Sequence, residues 1–120
     1  MTNQGNQKKV SREALTASDR EALDQMLGQL RKLYSDRLDR VILYGHKSRE
    51  RGGSDLDVLV VIRGVSNRFV EMSRIHRITG PFKVSEDILI TAIPVDSEFL
   101  ETQMETSFFT TILEEGIALT

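Results

Sequence analysis

Leu43-Tyr44-Gly45-His46-Lys47-Ser48-Arg49-Glu50-Arg51-Gly52-Gly53-Ser54-Asp55-Leu56-Asp57, running on into Val58-Leu59-Val60-Val61-Ile62, is the stretch that decides how this chain folds. Arg40 to Tyr44 is rich in β-formers and reads as a short buried strand stopped by Gly45. Residues 46–54 carry too much glycine and charge for a strand and read as a loop, with room for one helical turn near His46–Arg49. Asp55 to Ile62 reads as a second strand. Its unbroken Val, Leu and Ile from 58 to 62 call for burial on both faces, hence a central position. The connection is shorter than the dozen or so residues that a parallel crossover needs, so the two strands are expected to be antiparallel neighbours.

Working outward, residues 1–10 are polar and read as a disordered tail ahead of a single domain over 11–120. A short helical piece is expected from Ser11 to Ala17. A longer helix starts with Ser18 or Asp19 as N-cap and ends near Asp36, its apolar stripe made by Leu23, Met26, Leu27, Leu30, Leu33 and Tyr34. Beyond the central stretch, Ser66 caps a helix through about Thr79, with Phe69, Met72, Ile75 and His76 inward and Gly80-Pro81 as its stop. Phe82 to Ile93 reads as a third strand carrying Asp87 in its first half and ended by Pro94. Asp96 or Ser97 caps a short helix bearing Phe99, Leu100 and Met104. Ser107 caps another, with Phe108, Phe109, Ile112 and Leu113 on one side and Gly116 as its end. Ile117 to Leu119 adds an edge strand. The expected architecture is α+β: a small mixed β-sheet with helices packed mainly on one face.

Composition narrows the function classes. The chain has 120 residues, 39% hydrophobic and 28% charged, in the ordinary range of a soluble domain. No apolar run approaches the roughly 20 residues of a membrane span, and Met1 to Lys9 lacks the apolar core of a signal peptide. There is no cysteine, so disulfides and thiolate metal sites are excluded. These features point to a cytoplasmic protein with no membrane contact. A net charge of −2 argues against direct nucleic-acid binding. The charge is uneven, with Lys47, Arg49 and Arg51 set against Glu50 just ahead of the two acids.

Alternate residues of a strand share a face, which puts Asp55 and Asp57 on one side with Cα atoms roughly 6.5–7 Å apart. Packing explains two such carboxylates poorly, because unpaired they repel and resist desolvation. A divalent cation resolves both problems, and carboxylate oxygens suit Mg²⁺, which completes its shell with water and substrate phosphates. Two ions about 3.5–4 Å apart would clamp an in-line phosphoryl transfer. A second ion needs a further carboxylate, for which Asp87 is the candidate. Gly45 lets the backbone approach a ligand closely. A helical turn at 46–49 would offer free N–H groups to an anion, and Lys47, Arg49 and Arg51 would add charge.

This conjunction resembles the DNA polymerase β nucleotidyltransferase superfamily, in particular its minimal nucleotidyltransferase domains. Gly45 matches the glycine that ends the family's first strand, Arg49 an arginine of its loop, and Ser54-Asp55-Leu56-Asp57 its acidic motif. The amphipathic helix ahead and the closing Glu114-Glu115-Gly116-Ile117-Ala118-Leu119 are also similar. The resemblance implies Mg-dependent transfer of a nucleoside monophosphate from ATP or another NTP to an acceptor hydroxyl, with release of pyrophosphate. Asp55, Asp57 and Asp87 would be the catalytic and metal-binding acids for two Mg²⁺ ions, with Mn²⁺ able to substitute. Gly45, His46, Lys47, Ser48 and Arg49 would hold the nucleotide phosphates. For the third acid, Asp87 is preferred over Glu86. Glu86 shares strand parity with Ile88, Ile90 and Ala92, the side expected under the helices. The acceptor would come from another chain, and the resemblance implies a HEPN-type toxin for which this protein would be the antitoxin. Three departures stand out: His46 replaces the family's serine, Glu50 a loop glycine, and the loop is shorter. They favour the alternative of a catalytically impaired nucleotidyltransferase-fold module that acts by binding nucleotide or a protein partner.

Overall fold

The computed structural model describes residues 10–103 and 106–120. The proposed tail over 1–10 therefore lies outside the described residues except for Val10, which packs against the core. Met104 lies outside them too.

A capping box opens the first helix, α1 (Ala17–Tyr34). Thr16 is its N-cap: its Oγ1 accepts from the Asp19 N–H and its own N–H donates to Asp19 Oδ2, each at 3.0 Å. The cap is thus earlier than Ser18 or Asp19. Asp19 belongs to the box as its N3 residue. Leu23, Met26, Leu27, Leu30 and Tyr34 are buried as the spacing requires, while Leu33 stays 41% exposed. A single 3-10 turn, Arg12–Ala14, replaces the short helix expected before α1, and a second, Ser35–Arg37, follows it.

β1 (Leu38–Ser48) and β2 (Ser54–Ile62) form an antiparallel hairpin. β1 is much longer than Arg40–Tyr44. Its ladder with β2 continues through Gly45↔Asp57, His46↔Leu56, Lys47↔Asp55 and Ser48↔Ser54. Residues 46–48 are therefore strand, not loop, and no helical turn forms at His46–Arg49. The reversal is compressed into residues 49–53, where Gly52 and Gly53 take the positive φ values of 96° and 84° that residues with a Cβ avoid.

α2 (Arg68–Glu86) starts at Asn67, whose Oδ1 accepts from the Phe69 and Val70 N–H groups, and not at Ser66. It runs straight through Gly80-Pro81, so Phe82 to Glu86 are helical. An internal proline costs about 3 kcal/mol. Ile75, Ile78 and Thr79 before it and Phe82 after it are all buried, which anchors both halves of the helix. The inward stripe is Glu71, Ile75, Ile78, Thr79 and Phe82, whereas Phe69, Met72 and His76 face solvent. Glu71 is buried with partners: Tyr34 donates to Oε1 at 2.7 Å, and Arg74 Nη1 reaches both oxygens at 3.2–3.3 Å. Burial, and then the bond to Glu71, push the Tyr34 phenol well above its usual pKa.

β3 (Ile88–Asp96) pairs parallel with β2, and β4 (Ile117–Ala118) pairs antiparallel with β1. The four-stranded mixed sheet has the order β3-β2-β1-β4. Pro94 does not end β3, which continues to Asp96. β3 is an edge strand, where a missing N–H is tolerated. α1 and α2 cover one face over Leu43, Leu56, Val58 and Val60. Two short helices, α3 (Ser97–Thr102) and α4 (Ser107–Glu115), pack on the other over Ile42, Leu59, Val61 and Val95 through Leu100 and Ile112. Thr106 precedes α4 without a side-chain cap bond, and Gly116 ends it. Val58 to Ile62 are buried without exception, as a central strand requires.

Asp96 joins three elements. Its Oδ1 accepts from the Val65 N–H at 2.8 Å, and its Oδ2 from the Glu98 and Phe99 N–H groups at 3.1 and 3.2 Å. The bond from Val65 leads in holding its carboxyl below the usual range. A depressed folded pKa means stabilisation that is present above the unfolded value of about 3.9 and lost as pH falls through the folded one. Asp96→Ala is expected to lower unfolding free energy by about 1–2 kcal/mol at pH 7. In urea titrations the gap to wild type should narrow as pH falls below the unfolded value and close once it has passed through the folded one. A gap that persisted unchanged in acid would refute the cap as its source.

Candidate functional site

A bulge in β1 sets the geometry of the site. The register slips between Leu43 and Gly45, so Leu43 lies opposite Val58 while Gly45 lies opposite Asp57. Two residues, Tyr44 and Gly45, thereby take the place of one. Directly opposed residues of an antiparallel pair share a face, so past the bulge Gly45 and Lys47 lie on the side of Asp57 and Asp55. His46 and Ser48 lie on the side of Leu56 and Ser54, beneath α1.

Asp55 and Asp57 do share a face, the one that Leu59 and Val61 continue toward α3 and α4. Asp57 rests on the bare backbone of Gly45. A Cβ there would come within 3.0 Å of the Asp57 Cβ and closer still to its Oδ2. Partial burial, and then the charge of Asp55, raise the Asp57 carboxyl above its usual pKa. Tyr44 stands beside it, and burial followed by the Asp57 charge raises the phenol as well. This corner of the sheet disfavours negative charge and is short of a cation.

Arg49 supplies one from inside the chain. Its Nη1 is paired with Asp55 Oδ1 and its Nη2 with Asp87 Oδ1 at 2.9 Å. Its backbone is fixed in the turn, donating to Gly53 O and accepting from the Gly52 N–H, both at 3.0 Å. Gly53 makes the arrangement possible: a Cβ there would fall 2.5 Å from Asp87 O and 2.7 Å from its Oδ2.

Asp87 is not in a strand. It caps α2 in the left-handed conformation, φ 56°, one residue before β3. Lys83 Nζ bonds its Oδ1 at 2.8 Å, and this bond, ahead of Arg49, holds its carboxyl below the usual range. The β3 residues that lie next to Asp55 and Asp57 in the ladder are Leu89 and Thr91. Asp87 reaches the carboxylate pair only through Arg49. Glu86 lines a separate cleft at the start of α1 with Thr16, Ser18, Asp19, Ser48 and Arg49.

Among the described residues, no three His, Asp or Glu side chains are grouped closely enough to hold an ion together. Asp55 and Asp57 are the residues that could hold one magnesium ion, which commonly takes one or two carboxylates and fills the remaining positions with water and phosphate oxygens. Asp87 becomes a further ligand only if Arg49 and Lys83 release it. Lys83, Gly53 and Tyr44 are the residues of this site that had no motif to mark them; the doubled glycine at 52–53 was their one sequence signal.

His46 has a different partner from the one expected. Its Nε2 lies 3.2 Å from Asp19 Oδ2, and a carboxylate only accepts, so Nε2 carries the hydrogen. Asp19 is fully buried, and its Oδ1 has no hydrogen-bond partner among the described residues. The imidazole thus ties β1 to the cap of α1. His46→Ser should destabilise the fold by about 1–3 kcal/mol, because a buried carboxylate loses a donor. Chemical denaturation of the two proteins checks this, and an unchanged midpoint would remove the structural role of His46.

The chain matches no protein-family model and no characterised protein, so the geometry of Asp55, Asp57, Gly45 and Arg49 has to carry any functional conclusion.

Proposed function

We propose that this protein is a nucleotidyltransferase of the minimal type, moving a nucleoside monophosphate from ATP or another NTP to a hydroxyl on a second chain in the cytoplasm. One observation carries the reading. A half-buried carboxylate, Asp57, lies over a glycine on the same face as Asp55, flanked by Lys47 and Arg49. Magnesium held by Asp55 and Asp57 would supply Lewis-acid polarisation of the phosphate and screening of its charge.

The chain's own groups have separable tasks. The bare Gly45 backbone lets the Asp57 side chain lie directly against β1. Lys47, on the Asp55 face, and Arg49 offer charge-assisted hydrogen bonds to the remaining oxygens. Once Arg49 turns to phosphate and Lys83 also lets go, the Asp87 carboxylate would be free to accept the proton of the acceptor hydroxyl. The new bond joins acceptor oxygen to the α-phosphorus, and the bond to pyrophosphate breaks. By resemblance, the acceptor chain is a HEPN-type toxin. No helix of the described residues is long and apolar enough to cross a membrane.

A second reading, a binding module without transfer activity, has its own support. Arg49 already neutralises Asp55 and Asp87, and His46 is turned to Asp19 in place of the phosphate. Calorimetric titration with ATP and Mg²⁺ tests what the two share. Wild type should bind in a metal-dependent way, and Asp57→Asn should weaken binding at least about tenfold. No binding to either protein would sink the transferase reading and leave only a module that binds a protein partner. Where binding is seen, α-labelled ATP incubated with the partner protein separates them: label on the partner means transfer, and its absence means a module.

A further inference from the structure

Tyr44 connects the carboxylate corner to a second feature of the same sheet face. Its ring meets Phe108 edge-on, with centroids 6.3 Å apart. Phe108 meets Phe109 at 5.1 Å, and Phe109 meets Phe99 at 6.5 Å, again edge to face. Phe109 is half-buried between the other two, yet Phe108 and Phe99 are 52% and 51% exposed. Beside these rings lies a groove of about 520 Å³ whose floor is Ile93, Pro94 and Val95 of β3. That is a common size for a small-molecule site.

The ladder gives the distance from groove to carboxylates. Ile93 pairs with Leu59 and Val95 with Val61, which continue the face of Asp55 and Asp57. At about 3.3 Å per residue, the floor starts roughly 7 Å from Asp57 and extends to roughly 13 Å. A triphosphate at Asp57 therefore places the group joined through its ribose over this floor. Every surface there suits a flat heteroaromatic ring: two exposed phenyl groups, an aliphatic floor and a polar rim. Ser66 and Arg68 on the rim make no hydrogen bond or ion pair among the described residues, so their donors are free for ring nitrogens or carbonyls. Asp96, by contrast, is fully used by three backbone N–H groups.

We propose that the groove between β3 and the Phe99–Phe108–Phe109 cluster binds the nucleobase of the substrate, stacked on Phe108. This rests on the nucleotidyltransferase reading and adds to it the element that senses the base. It also accounts for two large aromatic side chains that the core leaves exposed.

The test compares Mg·ATP with Mg·tripolyphosphate, which has the phosphates but no base, by calorimetry on wild type, Phe108→Ala, Phe108→Leu and Phe108→Tyr. Stacking predicts a loss of ATP affinity of roughly tenfold in the Ala and Leu variants. Tripolyphosphate affinity should stay unchanged in all four proteins, and Phe108→Tyr, which keeps a ring, should hold ATP like wild type. Unaltered ATP affinity in Phe108→Ala overturns the proposal and leaves the groove to another occupant, such as an aromatic side chain of a protein partner. Parallel loss of both ligands overturns it as well, since Phe108 would then act through the fold. Binding of neither ligand to wild type removes the nucleotidyltransferase reading and the base site together, whereas tripolyphosphate binding that Phe108 variants share with ATP leaves the reading standing and removes only the base site.

Discussion

β2 is buried on both faces from Val58 to Ile62, and nearly everything else follows from where its charge can go. A strand sandwiched between two apolar layers carries carboxylates only at an end that the helices do not reach. Asp55 and Asp57 occupy that end, facing the layer of α3 and α4. The bulge at Tyr44–Gly45 adjusts the neighbouring strand to suit them. It places a glycine against Asp57 where any side chain would overlap, and reverses the facing of every β1 residue beyond it.

The electrostatics of the corner follow from that placement. Desolvation and the nearness of Asp55 both make an ionised Asp57 costly, so a cation has value there whatever its source. The chain meets part of the need with Arg49, held in a turn that two glycines of positive φ make possible. The guanidinium bridges Asp55 and Asp87, which lie in different elements, and so joins the hairpin to the end of α2. These ion pairs are partly open to water, and their free energy is correspondingly small. That weakness suits a site in which a more highly charged ligand can displace Arg49.

Much of this architecture was legible in the amino-acid pattern, and the misreadings share a cause. The succession of elements, the mixed sheet, the antiparallel hairpin and the central position of β2 all follow from hydrophobic period and connection length. The errors fall where tertiary contacts override local preference. Gly80-Pro81 reads as a stop, yet burial on both sides carries α2 through it. Pro94 reads as a strand end, yet edge position makes it harmless. His46-Lys47-Ser48 reads as loop, yet the β2 partner extends the ladder over it. The bulge is the most consequential of these, because parity counted from Leu43 without it would put His46 beside the carboxylates and Lys47 away from them. Gly45 is the local mark of the slip, since a glycine inside a strand often signals a bulge, but it reads equally well as a strand end. Asp87 was singled out as an acid near the pair, but its position in a left-handed cap depended on α2 ending later than its proline suggested.

The unequal cover of the two sheet faces explains why chemistry would collect on one of them. At 1.5 Å per residue α1 and α2, of 18 and 19 residues, are each about 27–29 Å long, close to the roughly 30 Å of a nine-residue strand, so they cover most of their face. α3 and α4, of 6 and 9 residues, extend only about 9 and 14 Å. α3 begins at Asp96, which pairs with Ile62, at the opposite end of β2 from Asp55. A short α3 that starts at the far end leaves the near end of β3 and β2 uncovered on this face. The open strip therefore runs from the carboxylates, past Tyr44, to the ring cluster, without any cavity having to be carved from the core. Asp55 and Asp57 sit at the open end of that strip, where their half-buried carboxylates keep a path to solvent. An exposed carboxylate corner and a short α3 are thus two consequences of one constraint.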